Sequence, residues 1–417
     1  MEILLLIFYS VLFLLFVYKS KVFKSTSVSP TVWMFLAMIK ISVAMLYNWL
    51  SHQIPTFFDS NIYFRESNIV FSSLQENPLY YLQLLVGPNN YFPEPEHLCG
   101  YIDKMGFWYD TTGYTIIRIN AFIRLFSFGF ISIHFLFFSF LSFIGGFYLY
   151  KFFSDRTDLS EYLMIGLIFL IPNVLFWTSG LHKEALIMFS IGVLLYSFNR
   201  FIIFKCNISL FVAVISFLFL INVRMYMSLI MIPALLGYYV NERSKVKAIY
   251  PYLISFAALL LAVVLYDVIT PNQFRLAYII TNFQSSFINS TGNTSFEVDH
   301  VGNSWVRILS TFPEHLLNGF IYPFYGQCKL TWCRLASIDS MILCLVIGIS
   351  LFKVKYKYIL DNNMALFCLS IGFGLMTIIG VVVNNAGAIV RYRSIAIIFI
   401  FLGLSLSFLK KSKSIVK

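Results

Sequence analysis

Charged residues are scarce in this chain. Asp, Glu, Lys and Arg make up 12% of its 417 residues, whereas 59% are hydrophobic. Soluble domains carry about 25% charged residues and roughly half apolar ones, so this chain cannot hide its apolar surface in a water-soluble core. The formal net charge of +11 does not indicate a nucleic-acid partner, because the cations cluster at the ends of apolar segments, where lipid headgroups would meet them.

Several enzyme motifs are also missing. The sequence contains no HExxH, P-loop, GxSxG or CxxC pattern, so nucleotide-driven transport and thiol or zinc chemistry gain no support. The six cysteines show no zinc-ligand spacing. Cys328 and Cys333 are separated by four residues within one predicted loop, which makes a local disulfide an open alternative to two free thiols.

Long apolar runs dominate what remains, and a transmembrane helix needs about 20 mostly apolar residues. The sequence therefore predicts an all-α polytopic membrane protein with about 11 transmembrane helices, forming a single membrane domain over residues 1–417. Two large outer loops, about residues 51–127 and 270–336, separate some of the spans. The predicted spans are Ile3–Val17, Val32–Leu50, Phe130–Tyr150, Tyr162–Trp177, Ala185–Phe198, Ser209–Val223, Met225–Val240, Tyr250–Val268, Ile338–Leu351, Ala365–Val383 and Ile395–Leu409.

Lysine and arginine follow every odd-numbered span. Cytoplasmic loops carry an excess of these residues, so the alternation places the N-terminus outside and the C-terminus in the cytoplasm. Both long loops then face outward. The clusters that follow the odd-numbered spans are Lys19, Lys21 and Lys24; Lys151 and Arg156; Arg200 and Lys205; Arg243, Lys245 and Lys247; Lys353, Lys355 and Lys357; and Lys410, Lys411, Lys413 and Lys417.

Each long loop contains a predicted interfacial helix. Arg118 and Arg124 lie around the first helix away from its apolar face, and Pro313 is expected to interrupt the second. Such helices typically lie in the headgroup plane. The apolar residues at helical spacing are Tyr114, Ile117, Ala121 and Leu125 in the first loop, and Trp305, Leu309, Phe312 and Leu316 in the second.

Three short outer turns place cations close to the membrane, against the orientation rule. A cation near a bilayer is costly unless it snorkels or finds an anion. The phosphate of a lipid carrier would suit all of them, since guanidinium binds phosphate bidentately and ammonium acts as a point charge. The alternative is that each cation snorkels or pairs internally, for instance Lys183 with Glu184. The candidate phosphate-binding residues are His182, Lys183, Arg224, Arg391 and Arg393.

Asp59 is the favoured reactive group, because it follows the second predicted span by nine residues and lies beside aromatic residues. A carboxylate there can take the proton of an acceptor hydroxyl. It can also hold a divalent cation, Mg²⁺ or Mn²⁺, against a donor phosphate. Capping of a helix that begins near Ser60 is the competing interpretation. Glu66 would lie two turns further along that helix, near the same face.

Five stretches resemble multi-span proteins from bacterial surface-polysaccharide loci, and the layout is similar to the GT-C class of membrane glycosyltransferases. In that class an acid in the first large outer loop serves as base or metal ligand, which the resemblance assigns to Asp59, and outer-face cations hold a polyprenyl-phosphate donor. GT-C enzymes typically place the acid after the first span, whereas Asp59 follows the second. Either an extra span precedes the core or another residue has this role. The stretches are Asp59–Phe64, Tyr101–Asp110, Arg118–Ala121, Pro172–Glu184 and Val390–Arg393.

Together these features predict a glycosyltransferase of the bacterial inner membrane. It would transfer a sugar from a polyprenyl-phosphate or pyrophosphate donor to a glycan or lipid-linked acceptor, with Asp59 and Glu66 as catalytic residues. An O-antigen or capsule polysaccharide polymerase is the close alternative, and a flippase or transporter of a lipid-linked glycan is the alternative from another class. Candidate acceptor or interfacial residues are Arg118, Arg124, Trp108, Tyr109 and Trp305.

Overall fold

The computed structural model describes residues 1–54, 59–90, 94–244, 246–271, 274–289, 296, 300–328, 331–353 and 356–408, without the side chains of residues 327, 332, 357 and 358. Over these ranges the chain is helical and contains no β-strand. The helices are α1 (Glu2–Lys19), α2 (Lys21–Lys24), α3 (Pro30–Gln53), α4 (Ser60–Glu76), α5 (Pro78–Val86), α6 (Glu96–Ile102), α7 (Thr111–Ser127), α8 (Ile131–Arg156), α9 (Glu161–Ile165), α10 (Pro172–Trp177), α11 (Lys183–Phe204), α12 (Asn207–Val223), α13 (Met225–Arg243), α14 (Ile249–Ile269), α15 (Leu276–Asn289), α16 (Trp305–Ile321), α17 (Thr331–Lys353), α18 (Tyr356–Leu360), α19 (Asn363–Val382) and α20 (Ala386–Ser407).

Eight helices in the described part of the chain are long and apolar enough to cross a membrane. They coincide with eight of the predicted spans, which confirms an all-α integral membrane protein. These helices are α1, α3, α8, α11, α14, α17 (over Cys333–Lys353), α19 and α20.

The other three predicted spans do not correspond to helices that are long and apolar enough to cross a membrane by these criteria. Helix α12 is apolar but has 17 residues, and α13 is helical without being among the eight. The prediction of one continuous helix over Tyr162–Trp177 is wrong. Helix α9 passes into a π-helical turn over Gly166–Leu170, and Ile171 is extended, because a residue before proline is disfavoured in the α conformation. The count of 11 spans stays a prediction.

The chain divides into two compact units. Unit 1 comprises Met1–Phe152 with Leu175–Met225, and unit 2 comprises Phe153–Val174 with Tyr226–Lys417. The single membrane domain over residues 1–417 stays a prediction.

One end of unit 1 is built from aromatic side chains. The Trp33 ring meets Phe147 and Tyr150 edge-on at centroid distances of 5.0 and 4.9 Å, and Lys151 Nζ donates to Ser25 Oγ at 3.2 Å. The connection between α1 and α3 therefore shares an end with the C-terminal part of α8. The lysine clusters after the first and third predicted spans had placed these two connections on the same side.

At the opposite end of unit 1, α4 to α7 pack into a cap. Asn61 Nδ2 donates to the Ser51 carbonyl at 2.9 Å, which fixes the start of α4 against the end of α3. The predicted helix of the first long loop is α7. Its residues Tyr114, Ile117 and Ala121 are fully buried, whereas Leu125 is 48% exposed. Three of the four residues of the predicted apolar face therefore pack on neighbouring helices.

In unit 2, α16 runs unbroken through Pro313, so the predicted interruption is wrong. A proline inside a helix removes a hydrogen bond and costs about 3 kcal/mol, which packing must offset. Gly319 and Gly380 supply that packing, because they bring α16 into direct backbone contact with α19. Cys328 and Cys333, beyond α16, form a disulfide, which settles the alternative that the sequence left open.

Within unit 1, α8 and α11 cross at two glycines. A Cβ atom on Gly192 would collide with the carbonyl group of Gly145. Small residues at a crossing let membrane helices approach closely without a hydrophobic driving force between them.

We expect Gly192→Leu to destabilise the protein by at least about 2 kcal/mol, since an inserted side chain must force the two helices apart. The measurement is the thermal unfolding midpoint of the purified protein in detergent. Gly348→Leu in α17 is the matched control, because no atom lies within 4 Å of a Cβ placed there. Equal midpoints for the two variants would contradict the crossing argument.

Candidate functional site

The turn before α11 lies against the start of α4 in unit 1. His182 Nε2 lies 3.4 Å from Ser60 Oγ, and both residues are buried. The ring of Tyr47 packs on Gly180, where any Cβ would be crowded, and it meets the His182 ring edge-on at 5.5 Å. Two segments far apart in the sequence, one beginning at Asp59 and one ending at Glu184, are thus brought together.

Lys183 joins this turn to α7. Its Nζ donates to Thr112 Oγ1 at 2.5 Å and lies 3.7 Å from Asp110 Oδ2. Burial raises the pKa of Asp110, but the Lys183 charge and hydrogen bonds from Thr112 and Gly113 outweigh burial and hold that pKa below its ordinary value. The Asp110 side chain is 44% exposed, so this ionised pair remains within reach of a ligand.

Arg224, by contrast, is engaged in a buried pair. Its Nη2 lies 2.9 Å from Glu184 Oε1, and the two side chains are 7% and 2% exposed. The pair links the C-terminal end of α12 to the first turn of α11. The positive charge of Arg224 is therefore largely compensated by Glu184.

Glu66 and Asp59 have different surroundings on α4. The Glu66 carboxylate is buried and accepts the backbone N–H groups of Gly106 and Phe107, each at 3.1 Å, so it holds the loop before α7. Asp59 occupies the N-cap position and is half-buried, but its side chain makes no capping hydrogen bond. The competing interpretation of Asp59 as a side-chain cap is therefore not what the structure shows.

Both arginines of α7 bind backbone carbonyls. Arg124 donates to the Phe64 carbonyl at 2.6 Å and to Ser67 Oγ at 2.8 Å, and its guanidinium lies over the Phe64 ring. Arg118 donates to the Leu84 carbonyl at 3.3 Å. Burial lowers the pKa of both groups, that of Arg124 to about 10. These arginines fasten α7 to α4 and α5.

The three predicted aromatic contacts differ in exposure. Trp108 is buried and meets Tyr114 edge-on. Tyr109 is 59% exposed, and its hydroxyl donates to the Glu94 carboxylate. In unit 2, Trp305 Nε1 donates to Asp267 Oδ2 at 2.9 Å. Of the three, Tyr109 presents the most accessible ring.

Two polar groups inside the predicted spans of unit 1 have hydrogen-bonding partners. His134 contacts Asn120 Oδ1 at 2.7 Å and Ser127 Oγ at 2.8 Å, so it is a hydrogen-bonded packing residue. Lys40 Nζ donates to Thr178 Oγ1 at 2.8 Å and thereby supports the turn that carries His182.

Unit 2 contains a second polar group of residues, which we call the Arg393 cluster. Arg393 is fully buried. Its Nη2 donates to Asp339 Oδ2 at 2.7 Å and to Ser340 Oγ at 2.8 Å, and its Nη1 donates to the Tyr322 carbonyl at 2.9 Å. Asn173 Nδ2 donates to the same Asp339 oxygen at 3.0 Å.

The five predicted phosphate-binding residues are divided between the units. His182, Lys183 and Arg224 share one end of unit 1 with Asp59, whereas Arg391 and Arg393 belong to unit 2. Arg391 is half-buried and donates to the Tyr392 hydroxyl at 3.2 Å. Convergence of all five on one anion stays a prediction.

Sequence reasoning overlooked Thr112, Asn173 and Asp339. Asp339 lies inside a predicted span, and an acid at such a position is itself a signal of function. Thr112 and Asn173 carry no such signal, because their importance depends on tertiary neighbours. Among the described residues no group of three or more His, Cys, Asp or Glu side chains could hold a metal ion, so a divalent cation at Asp59 stays a prediction.

We expect Arg224→Gln to lower the stability by about 3–5 kcal/mol, because it leaves the Glu184 carboxylate buried and uncompensated. Arg224→Gln combined with Glu184→Gln should recover most of that loss, since both charges are then absent. Thermal unfolding of the single and double variants in detergent measures the coupling. A double variant as unstable as the single one would show that the pair does not act as a unit.

Comparisons of the chain with models of protein families, with curated proteins and with solved structures each found no match.

Proposed function

We propose that this protein is a membrane glycosyltransferase. It would transfer a sugar from a polyprenyl-phosphate or pyrophosphate donor to a glycan or lipid-linked acceptor. One observation carries the proposal. At one end of the membrane helices of unit 1, the Lys183–Asp110 pair, whose side chains are 16% and 44% exposed, lies on the turn that contacts the start of α4, next to Asp59. A cation for the phosphate and a carboxylate for the acceptor are thus supplied from neighbouring segments.

Lys183 is the cation of unit 1 best suited to the donor phosphate. It begins α11, a helix of 22 residues, whose N-terminal end contributes partial positive charge and unpaired backbone N–H groups. Its contact with Asp110 is longer than the Arg224–Glu184 contact and more exposed. Arg224 is therefore assigned to shaping the turn, and His182, buried against Ser60, to orienting it.

Asp59 is assigned as the general base. It would take the proton of the acceptor hydroxyl while the acceptor oxygen attacks the anomeric carbon. The bond from that carbon to the phosphate oxygen would break with inversion, and Lys183 would stabilise the negative charge on the departing phosphate. Asp110 is not assigned as the base, because it pairs with Lys183 and its pKa lies below its ordinary value. Glu66 positions the loop before α7. In the alternative role, Asp59 would bind Mg²⁺ or Mn²⁺ against the donor phosphate instead of acting as the base.

The proposed orientation places both long loops outside a bacterial inner membrane, the N-terminus outside and the C-terminus in the cytoplasm. The Cys328–Cys333 disulfide supports this proposal, because disulfides persist in oxidising compartments. A contribution of Arg391 and Arg393 to substrate binding, and about eleven spans in one membrane domain, are further parts of this proposal.

Two alternatives share part of this chemistry. A polymerase of O-antigen or capsule polysaccharide would use the same residues on a larger lipid-linked donor. A flippase of lipid-linked glycans is favoured by one observation, the helix broken between Gly166 and Pro172 in the unit that carries the Arg393–Asp339 pair, since transporters use broken helices and intramembrane charges. A flippase would move its substrate without forming a glycosidic bond.

Asp59→Asn should reduce sugar transfer at least about a hundredfold, because loss of a general base typically costs 10²–10⁴-fold. Transfer is measured in proteoliposomes with a panel of polyprenyl-phosphate hexoses and pentoses. Asp103→Asn, an exposed carboxylate of the same loop, is the matched control and should retain activity. Unchanged turnover of Asp59→Asn removes that residue from the mechanism, and transfer from no donor of the panel overturns the enzyme proposal.

Lys183→Gln should weaken binding of undecaprenyl phosphate at least tenfold, because it removes the accessible charge at the start of α11. Undecaprenol, which lacks the phosphate, should bind equally to both proteins. Lys104→Gln, an exposed lysine of the first long loop, controls for a general effect of charge, and Arg391→Ala tests the contribution of unit 2. If the affinity for undecaprenyl phosphate is the same in wild type and Lys183→Gln, the phosphate site is not at this lysine.

A further inference from the structure

Helix α16 of unit 2 ends at membrane depth. Its Gly319 packs on the backbone of α19, and the ring of Phe320 lies 5.6 Å from that of Phe373. Phe373 is nine residues before Val382, the last residue of α19, which corresponds to about 13 Å along a helix. The C-terminal end of α16 therefore lies well inside the end of α19, whereas Trp305 at its start packs near Val382.

Tyr322, which directly follows α16, has an extended backbone and lies beside α17 and α20. The Tyr322 carbonyl accepts from Ser340 Oγ at 3.0 Å and from Arg393 Nη1 at 2.9 Å. Irregular backbone at membrane depth is tolerated where protein buries it or where it lines a water-filled cavity. Arg393 thus donates a hydrogen bond to the carbonyl group that follows α16 and, through Ser340, holds the end of α16 beside α17.

Asp339 is the partly exposed residue of the Arg393 cluster. It lies six residues into the span Cys333–Lys353, about 9 Å from its start. Its side chain is 28% exposed, whereas that of Arg393 is 0% exposed. Contact of a carboxylate with hydrocarbon is strongly unfavourable. The exposed part of Asp339 therefore requires water or a polar ligand.

The rest of the cluster has unused hydrogen-bonding capacity. Asn173 Oδ1 and Arg393 Nε are buried, and neither has a hydrogen-bond partner in the part of the chain that the structure describes. Asp339 already compensates the Arg393 charge, so the cluster is polar but not strongly cationic. A carboxylate and an amide oxygen accept from hydroxyls, and guanidinium N–H groups donate to them, a combination that fits a polyol better than an anion.

We propose that Asn173, Asp339 and Arg393 form a subsite for sugar hydroxyls that is open to water within the span Cys333–Lys353. The sugar of a lipid-linked substrate would bind there with its hydroxyls on Asp339 while its lipid tail stays in the bilayer. The identity of the ligand as a lipid-linked sugar rests on the proposed function, whereas the aqueous opening does not.

Cysteine labelling tests the opening. Asp339→Cys and Met341→Cys are made in a protein whose Cys99, Cys206, Cys344 and Cys368 are replaced by serine or alanine, and each is treated with membrane-impermeant 2-sulfonatoethyl methanethiosulfonate in proteoliposomes. Met341 lies at the same depth and is 61% exposed, as expected of a lipid-facing position. Asp339→Cys should react at least tenfold faster than Met341→Cys, and equal rates overturn the proposal.

A second variant allows the same measurement if Asp339→Cys does not fold. Asp339→Cys leaves the Arg393 charge unpaired, whereas Asp339→Cys with Arg393→Gln leaves no unpaired charge at the site. If the first variant does not fold, the double variant is compared with Met341→Cys by the same criterion. This outcome is independent of Asp59, so failure of the opening and failure of the transferase proposal are distinguishable.

Binding of short-chain lipids in nanodiscs tests the ligand class. The probes are octyl glucoside, octyl galactoside, octyl mannoside and octyl phosphate. Asp339→Asn should lower the affinity for at least one glycoside tenfold or more and raise that for octyl phosphate, because Arg393 loses its counter-charge. Asp361→Asn, exposed and outside the cluster, should change neither. Octyl phosphate as the tightest ligand of the wild type, or glycoside affinities unaffected by Asp339→Asn, would overturn the sugar subsite.

Discussion

The cost of a charge near a low-dielectric medium is the constraint on which this structure depends. Buried Arg224 and Arg393 each have a carboxylate within 3 Å, Glu184 and Asp339 respectively. Arg124 uses a backbone carbonyl and an aromatic ring instead. An isolated buried ion would be strongly destabilising, so the helices that carry these residues are held in register by their partners.

The same constraint separates structural cations from ligand-binding ones. A guanidinium with a buried carboxylate at hydrogen-bonding distance has little net charge to offer an anion, which describes Arg224. Lys183 differs, because its acid partner is 3.7 Å away and 44% exposed. Displacing that contact with a phosphate would cost less desolvation than opening a buried pair. The geometry of the ion pairs thus favours Lys183 over Arg224 as the residue that would bind the proposed phosphate.

Much of the fold could be predicted from the sequence, because hydrophobic length and the positions of lysine and arginine are local signals. The eight long apolar helices and the buried face of α7 follow from them. The sequence predicted neither the break at Ile171 nor the continuity of α16 through Pro313, although both positions involve a proline. At Ile171 the backbone before the proline is extended, whereas at Pro313 the helix continues and two glycines bring α16 against α19. The pairing partners Thr112, Glu184 and Asp339 likewise depend on tertiary contacts.

The two units solve the problem of polar groups in a membrane protein in chemically distinct ways. Unit 1 gathers its charges at the ends of its helices, where an exposed pair can exchange partners with an ionic ligand. Unit 2 carries an arginine–aspartate pair inside its spans and uses it to complete the end of α16. A neutral pair at that depth cannot attract an anion from a distance, but it can exchange hydrogen bonds with hydroxyl groups. Unit 1 thus offers an ionic group that suits a phosphate, and unit 2 offers a neutral hydrogen-bonding group that suits a polyol.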